Sequence, residues 1–158
     1  MRYLIILLIT FNLFGSTYNF DEYRFVSAIS KEFHKSGTIS IDDKKIVITY
    51  TKPEFKKIVA DAEGIVVEDA EGEKEALEGN ILFYTKIYLN LIKKIDDVEA
   101  LQSNDDFDVK QEGNFYILKI KNQLSDYVKK IELTTKDDKI STFKIFMLND
   151  DTIKILKR

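Results

Sequence analysis

The residue types that could perform catalysis are scarce in this sequence. His34 is the one histidine among 158 residues, and there is no cysteine. Without a second histidine or a cysteine, neither a two-histidine metal site nor a zinc–thiolate site can form. A serine hydrolase would need a nucleophile beside His34, and no serine lies in the Gly-x-Ser-x-Gly pattern of a strained nucleophile turn. We therefore expect no catalytic site and no metal site.

Carboxylates are abundant, but adjacent pairs of them lie where the chain is predicted to turn. Aspartate favours turns because its side chain accepts hydrogen bonds from nearby backbone N–H groups. Asp105, Asp106 and Asp108 could contact a calcium ion, yet the glycine and the distal glutamate of a calcium-binding loop are missing. We interpret the acidic pairs as turn formers. These pairs are Asp42-Asp43, Asp96-Asp97, Asp137-Asp138 and Asp150-Asp151.

The composition favours a binding protein. Hydrophobic residues make up 44% of the chain, with eleven phenylalanines, eight tyrosines and no tryptophan. Lysines and acids are interspersed without a basic stripe, which argues against a nucleic-acid partner. No glycine-rich turn opens a helix in the manner of a phosphate-binding loop. We expect a non-enzymatic protein that uses no cofactor.

The N-terminus has the order of a secretory signal peptide. Arg2 supplies a positive charge, an apolar run covers residues 3–14, and small residues follow at 15–17. The run is too short to cross a hydrocarbon core of about 30 Å as a helix. The alternative for this run is a short buried helix. We predict a signal peptide over residues 1–17, with cleavage near its end, and export to the periplasm.

Residues 18–158 are expected to form one soluble, monomeric domain. The 17 predicted signal residues leave about 141 of 158, enough for a hydrophobic core without disulfides, which the absence of cysteine excludes. Removing Arg2 leaves 23 basic against 27 acidic side chains, a net charge near −4. No later apolar run approaches the length of a membrane span.

Alternation of apolar and polar residues predicts strands over most of the mature chain. Residues 38–41 and 45–50 are typical of a hairpin, and Pro53 ends its second strand because proline cannot donate to a strand ladder. Residues 57–60 and 65–68 predict a second hairpin. Short strands with tight turns indicate an antiparallel sheet of about nine or ten strands. Further strands are predicted between Gly72 and Gly79 and over residues 106–109, 115–120, 129–135, 140–148 and 152–156.

One segment changes to a helical period. Between residues 81 and 95, apolar residues recur every three or four positions, which places them on one face of a helix. A further helical turn is expected over residues 96–101. The predicted fold class is therefore mainly β, of the α+β type. The apolar face consists of Ile81, Tyr84, Ile87, Tyr88, Leu91, Ile92 and Ile95.

The order of these elements resembles the periplasmic outer-membrane lipoprotein carrier family, known as LolA-like. The resemblance begins with residues 37–41, continues through the strand Ile46-x-Ile48-x-Tyr50 and Pro53, and ends with the hairpin over 58–67. The C-terminal half, with residues 115–120 and 150–155, is similar to a divergent branch associated with aryl polyene and related lipid export. Asp43 stands where the carrier proper has an arginine, a departure that leaves the kind of lipidic cargo open.

This resemblance implies a fold, a function and a set of binding residues. The fold is a curved antiparallel sheet forming an incomplete β-barrel, with helices covering its concave face. The function is that of a periplasmic carrier of lipoprotein or lipid acyl chains between the inner and the outer membrane. An inner-membrane exporter and an outer-membrane acceptor are the implied partners. The residues expected to face the lipid cavity are Ile46, Ile48, Tyr50, Ile58 and Val66.

Two other functions remain compatible with the sequence. The same apolar residues could fill an ordinary core in an exported module that binds protein partners through sheet edges, without a lipid cargo. A small exported hydrolase that uses His34 is the third alternative.

Overall fold

A computed structural model describes residues 15–95 and 98–158 of the chain. Most of the predicted signal peptide, residues 1–14, lies outside the described residues. Ser16, near the predicted cleavage point, is the first residue of a strand. Eleven strands form within the described ranges. They are β1 Ser16–Val26, β2 Lys31–Ile41, β3 Ile46–Lys52, β4 Lys56–Ala60, β5 Ile65–Glu68, β6 Lys74–Ala76, β7 Phe107–Glu112, β8 Phe115–Ile120, β9 Val128–Lys136, β10 Lys139–Met147 and β11 Thr152–Lys157.

All eleven strands belong to one curved antiparallel sheet. Their order is β6-β5-β4-β3-β2-β1-β11-β10-β9-β8-β7. Strands that follow each other in the sequence therefore pair, except β6 and β7, and β1 also pairs with β11. The sheet is open, because β6 and β7 are edges that do not meet. The predicted fold class, an incomplete barrel with helical cover, is confirmed.

The first two strands form a long hairpin, of which the sequence analysis predicted only residues 38–41. β1 and β2 pair over eleven residues each, from Ser16 opposite Ile41 to Val26 opposite Lys31. A short 3-10 turn, Ser27–Ile29, joins them, and Ser30 follows with a positive φ. The two strands occupy the middle of the sheet, because β1 connects the β2–β6 half to the β11–β7 half.

Two α-helices lie between the two halves of the sequence. Helix α1 spans Gly79–Lys94 and helix α2 spans Val98–Gln102. The C-terminal half of α1 is buried against the sheet, and its side chains share one apolar core with the strands. No helix in the described part of the chain combines the length and apolarity needed to cross a membrane.

The predicted apolar face of α1 is only partly buried. Ile87, Tyr88, Leu91 and Ile92 are buried as expected, and so is Ile95 just beyond the helix. Ile81 and Tyr84 were expected to pack inward, but they are 67% and 54% exposed. The first half of the helix therefore extends along the protein with its apolar residues accessible.

The C-terminal end of α1 is tied to the rest of the fold through two adjacent lysines. The Lys93 ammonium donates to the backbone carbonyl of Asp43, in the β2–β3 turn, at 3.1 Å. The Lys94 ammonium pairs with the carboxylate of Asp106, directly before β7. These contacts fix the C-terminal end of the helix, whereas its exposed beginning has few apolar partners.

Gly37 allows the central strands to approach closely. It lies opposite Phe20 in β1 and opposite Tyr50 in β3, at an irregularity of the β2–β3 ladder. A Cβ here would collide with the carbonyl oxygen of Thr49 and come within 2.9 Å of the Tyr50 Cα. Because these atoms belong to the backbone of β3, they cannot move aside without shifting the strand.

Candidate functional site

A cavity lies between helix α1 and the concave face of the sheet. Its volume is about 410 Å³. One wall consists of strand residues, among them Tyr50, Ile58 and Ile145, and the other is formed by α1 residues, among them Ile87 and Leu91. Apolar side chains of the sheet and of the helix thus face each other across an unfilled cavity. Such a partly apolar concavity beneath a helix is the usual form of a small-molecule site.

Four of the five residues predicted to bind lipid lie on the concave face. Ile46, Ile48 and Tyr50 alternate along β3 and are buried, and Ile58 is paired directly with Ile48. Tyr50 and Ile58 line the cavity. Ile48 has no exposed surface and belongs to the packed core, while Ile46 borders a separate depression next to the Lys44–Lys45 turn.

We expected Val66 to face the same cavity, but the strand register places its side chain on the other face of the sheet. It pairs with Val59, which in turn pairs with Val47 on the outward face of β3. Opposed residues in an antiparallel pair project from the same face of a sheet. Val66 is therefore on the convex side, and its neighbour Val67, paired with Ile58, takes the inward position. The resemblance placed Val66 one residue out of register.

A buried carboxylate connects the sheet to the helix at the wall of the cavity. Glu22 in β1 has no exposed surface. Its Oε2 atom accepts a hydrogen bond from the Tyr88 hydroxyl of α1 at 2.6 Å and one from the Tyr50 hydroxyl of β3 at 3.0 Å. Burial, and then the negative charge of Glu22, raise the pKa of both tyrosines above the ordinary value. The two hydroxyls therefore remain protonated donors.

Arg24 continues this polar cluster toward the cavity. Its guanidinium lies 3.4 Å from Glu22 Oε1, and its centre is 5.8 Å from the centre of the Tyr88 ring. Burial alone lowers the pKa of Arg24, but Glu22 and the neighbouring Tyr88, Tyr50 and Asp151 raise it by more, so the net shift is upward. Arg24 therefore holds its charge beside an apolar space.

Lys35 is the second cation at this wall. It is half-buried, and its ammonium lies 5.0 Å from the centre of the Tyr50 ring. Burial lowers the pKa of Lys35, Glu22 opposes that effect, and the positive charges of Arg24 and Lys56 add to the lowering. This ammonium is less well stabilised than a lysine in water.

An aromatic patch, defined here as Phe83, Tyr84 and Tyr127, lies at the mouth of the cavity. The three rings meet edge to face, with centroids 5.3 to 6.1 Å apart. Phe83 and Tyr84 are 46% and 54% exposed, and Tyr84 also lines the cavity. Exposed apolar surface next to a cavity is unusual for a protein that only needs to fold.

The sequence analysis did not identify the charged residues of this site, Glu22 and Arg24. Glu22 and Arg24 lie in β1, whose residues Tyr18, Phe20, Glu22 and Arg24 share one face by alternation. From the sequence alone, this alternation could have indicated that Glu22 and Arg24 face inward. It was obscured because acidic and basic residues occupy positions that face inward, where apolar residues are expected.

The remaining candidates for chemistry, His34 and Asp106, lie outside the residues that line the cavity. His34 lies on the opposite face of the central hairpin, where its Nε2 is 3.1 Å from Asp21 Oδ1 and its ring stacks on Tyr23. Asp106, from the weak calcium cluster, pairs with Lys94 and accepts a hydrogen bond from the Asn122 amide at 2.7 Å. Within residues 15–95 and 98–158 no cluster of three metal-ligating side chains occurs.

Comparison with known proteins finds similarity in structure but none in sequence. No protein family matches the sequence, and no curated protein matches it. Among solved structures, the chain is similar to the crystal structure of a DUF1329 family protein from Desulfovibrio piger, with a TM-score of 0.45 and 11% sequence identity. The alignment covers 91% of this chain and 83% of that one. The description of the fold therefore rests on this chain's own strand order and register.

Proposed function

We propose that this protein is an exported carrier that holds an acyl chain of a lipoprotein or lipid in the cavity beneath α1. It would take this cargo from the inner membrane toward the outer membrane through the periplasm. The observation that supports the proposal most is the partly apolar cavity of about 410 Å³ between the helix and the concave face of an open barrel. The signal-peptide pattern of residues 1–17 supports the export step.

The arrangement of α1 suits a ligand that must enter and leave. The second half of the helix is buried and tied by Lys93 and Lys94, whereas Ile81, Phe83 and Tyr84 in the first half are exposed. Segments with few buried contacts open at a lower free-energy cost than the core. The first half of α1 is therefore the part of the cavity wall that can move without disturbing the sheet.

The energetics favour partial burial of the cargo. Each buried CH₂ group contributes about 0.8 kcal/mol to lipid binding. A completely enclosed long chain would be released slowly, so an open cavity with an exposed rim is suited to transfer. Release requires a receiving partner that favours the empty state, because a ligand shifts an equilibrium only through differential affinity. A membrane exporter and an outer-membrane acceptor are the proposed partners.

A pair of matched substitutions tests the proposal. Ile48 is unsuitable for this test, because it is fully buried and an aspartate there would unfold the protein. Ile58 is half-buried and lines the cavity, while Val66 is half-buried one strand away on the opposite face. We expect Ile58→Asp to lower the affinity for cis-parinaric acid, a fluorescent fatty acid, at least about tenfold, because a carboxylate would replace apolar contact.

Val66→Asp is the control, since it adds the same charge outside the cavity. Circular dichroism and thermal melting establish that both variants fold. The proposal is supported if Ile58→Asp loses binding while Val66→Asp retains it. Equal binding by the two folded variants, or no binding by the unaltered protein, would contradict it.

The alternative function, a protein-binding module without lipid cargo, is favoured by two observations. β6 and β7 are unpaired edges of the sheet, which can accept an added strand from a partner. The aromatic patch also offers exposed apolar surface. In this case, aspartate at Phe83 would abolish capture of the partner, while fluorescent lipids would show no binding to the unaltered protein.

A further inference from the structure

The cavity wall is more basic than acidic. Asp151 is the one acid among the described lining residues. Both of its carboxylate oxygens are occupied, because Oδ1 accepts from the backbone N–H of Ser27 at 2.8 Å and Oδ2 accepts from the Asn149 amide at 3.0 Å. Asp151 therefore serves mainly to hold the turn before β11. We define the basic trio as the cations that line the cavity: Arg24, Lys35 and Lys56.

Two members of the basic trio have no direct ion pair. Among the described residues, no carboxylate lies within 4 Å of the Lys35 or the Lys56 ammonium. Lys35 is half-buried, and Lys56 is exposed at the rim. A partly desolvated ammonium without a direct ion pair is less favourable than one in water, and it is stabilised when an anion binds beside it.

Arg24 has a free donor in the same region. Glu22 contacts one end of its guanidinium, while the Nε atom is buried and has no hydrogen-bond acceptor among the described residues. Buried donors without a partner are rare in folded proteins, and each calls for an explanation. A ligand oxygen would supply the missing acceptor. In this arrangement Glu22 is a positioning residue that orients the guanidinium.

The size of the cavity limits the apolar part of the ligand. A volume of about 410 Å³ is near the lower end of the range of roughly 300–1,000 Å³ typical of small-molecule sites. It therefore suits one alkyl chain better than the several chains of a lipoprotein. Apolar residues of β4, β10 and α1, including Ile58, Ile145 and Leu91, line the same space as the basic trio.

We infer that the cargo of this carrier is a single-chain amphiphile whose carboxylate or phosphate head contacts Arg24, Lys35 and Lys56. Its alkyl chain lies between Ile58 and helix α1. The inference rests on the proposed carrier function and adds the class of ligand to it. An anionic head would pair with Lys35 and Lys56 and accept a hydrogen bond from Arg24 Nε, whereas a neutral or cationic head would leave the half-buried Lys35 without a direct ion pair.

The surroundings confine the anionic head to the trio. Lys35, Tyr50 and Lys56 also border a second depression, of about 580 Å³, whose lining includes Phe55 and Val67. Its other charged residues are mainly acidic, with Glu54 and Glu73 exposed to solvent. An anion is attracted to the half-buried lysine and repelled by the acids beyond it. The boundary between the two depressions therefore fixes the depth at which the head is held.

The test compares a charged probe with its neutral counterpart. Binding of cis-parinaric acid and of its methyl ester is measured by fluorescence, with the full mature protein at low ionic strength. We expect the acid to bind at least about tenfold more tightly than the ester, since a charge-assisted contact contributes roughly that factor. In the double variant Lys35→Met/Lys56→Met, the acid should lose this advantage and the ester should bind as before. Displacement by dodecanoate or by dodecyl phosphate distinguishes the two kinds of head.

Lys136→Met is the control, because Lys136 is exposed at the end of β9, outside the residues that line the cavity. It should leave both affinities unchanged. Equal affinity of the unaltered protein for acid and ester would overturn the anionic head group while the carrier function stands. Preference for the acid that survives in the double variant would also overturn it. If neither probe binds, the carrier function fails, and the inference fails with it.

Discussion

At the residue scale, the central feature is a carboxylate buried on the side of the sheet where the core lies. Glu22 is held there by two tyrosine hydroxyls and by the Arg24 guanidinium. A buried charge is tolerated only when it is paired and hydrogen-bonded, and Glu22 meets both conditions. Because Tyr88 belongs to α1, this carboxylate also fixes where the helix rests on the sheet.

The protonation of Tyr88 gives a prediction about stability at high pH. Its raised pKa means that the folded protein keeps a proton which the unfolded chain releases near pH 10. The unfolded state then binds fewer protons, so the free energy of unfolding falls as the pH rises above about 10. We expect this loss to be smaller in Tyr88→Phe, although that variant is less stable at pH 8 by about 1–3 kcal/mol for the lost hydrogen bond.

Chemical denaturation between pH 8 and pH 11 measures this effect. Tyr84→Phe is the control, since the Tyr84 side chain is 54% exposed and the change leaves the Glu22 cluster intact. The control should show the same alkaline loss as the unaltered protein. An identical pH profile for Tyr88→Phe and the unaltered protein would mean that the Tyr88 proton does not stabilise the fold.

At the element scale, the sequence predicted regular strands well and their exceptions poorly. The hairpin of β2 and β3, the stop at Pro53 and the helix over 81–95 follow from local periods and turn residues, and all three are present. β1 was missed because Asp21 and Glu22, adjacent acids that normally indicate a turn, are buried within it. Their stabilising partners, such as Tyr50 and Arg158, are distant in sequence.

The residues predicted to bind lipid show the same limit. Tyr50 and Ile58 were predicted to line the cavity, and the structure places them there. Val66 was assigned to the wrong face because a register difference of one residue reverses the direction of every side chain in a strand. That Arg24 and Lys35 lie close together could not be inferred, since their proximity depends on the pairing of β1 with β2.

Gly37 gives a prediction about the central strands. In Gly37→Ala, the added methyl group would meet the backbone of Thr49 and Tyr50. Because that backbone cannot give way without moving β3, we expect the free energy of unfolding to fall by about 1–3 kcal/mol. Urea denaturation measures this change. Thr38→Ala, at the next position of β2, is the control and should cost less than about 1 kcal/mol.

A Gly37→Ala variant as stable as the unaltered protein would show that β2 and β3 can separate at this point. In that event, the close approach would not be a requirement of the fold. The same variant is expected to disturb the position of Tyr50, which lies directly opposite Gly37 and contributes to both the Glu22 cluster and the cavity wall.

At the scale of the whole molecule, the open barrel separates stability from binding. The core is continuous from β5 through the central hairpin to β8, so the sheet is stable without a closed circumference. Helix α1 completes the concave side with its buried half and leaves its first half exposed above the cavity. In the proposed carrier, the exposed first half of α1 is the wall that moves during reversible uptake of an apolar chain.

The most direct test of the carrier function is to identify what the native protein holds. The protein is purified gently, without detergent, from the periplasmic fraction of its native host, and its organic extract is analysed by mass spectrometry. We predict a stoichiometric acyl-containing compound, with a single chain and an anionic head as its simplest form. Protein that is free of lipid and also fails to bind added lipid would contradict the carrier function, and would leave the protein-binding module as the account of the exposed aromatic patch.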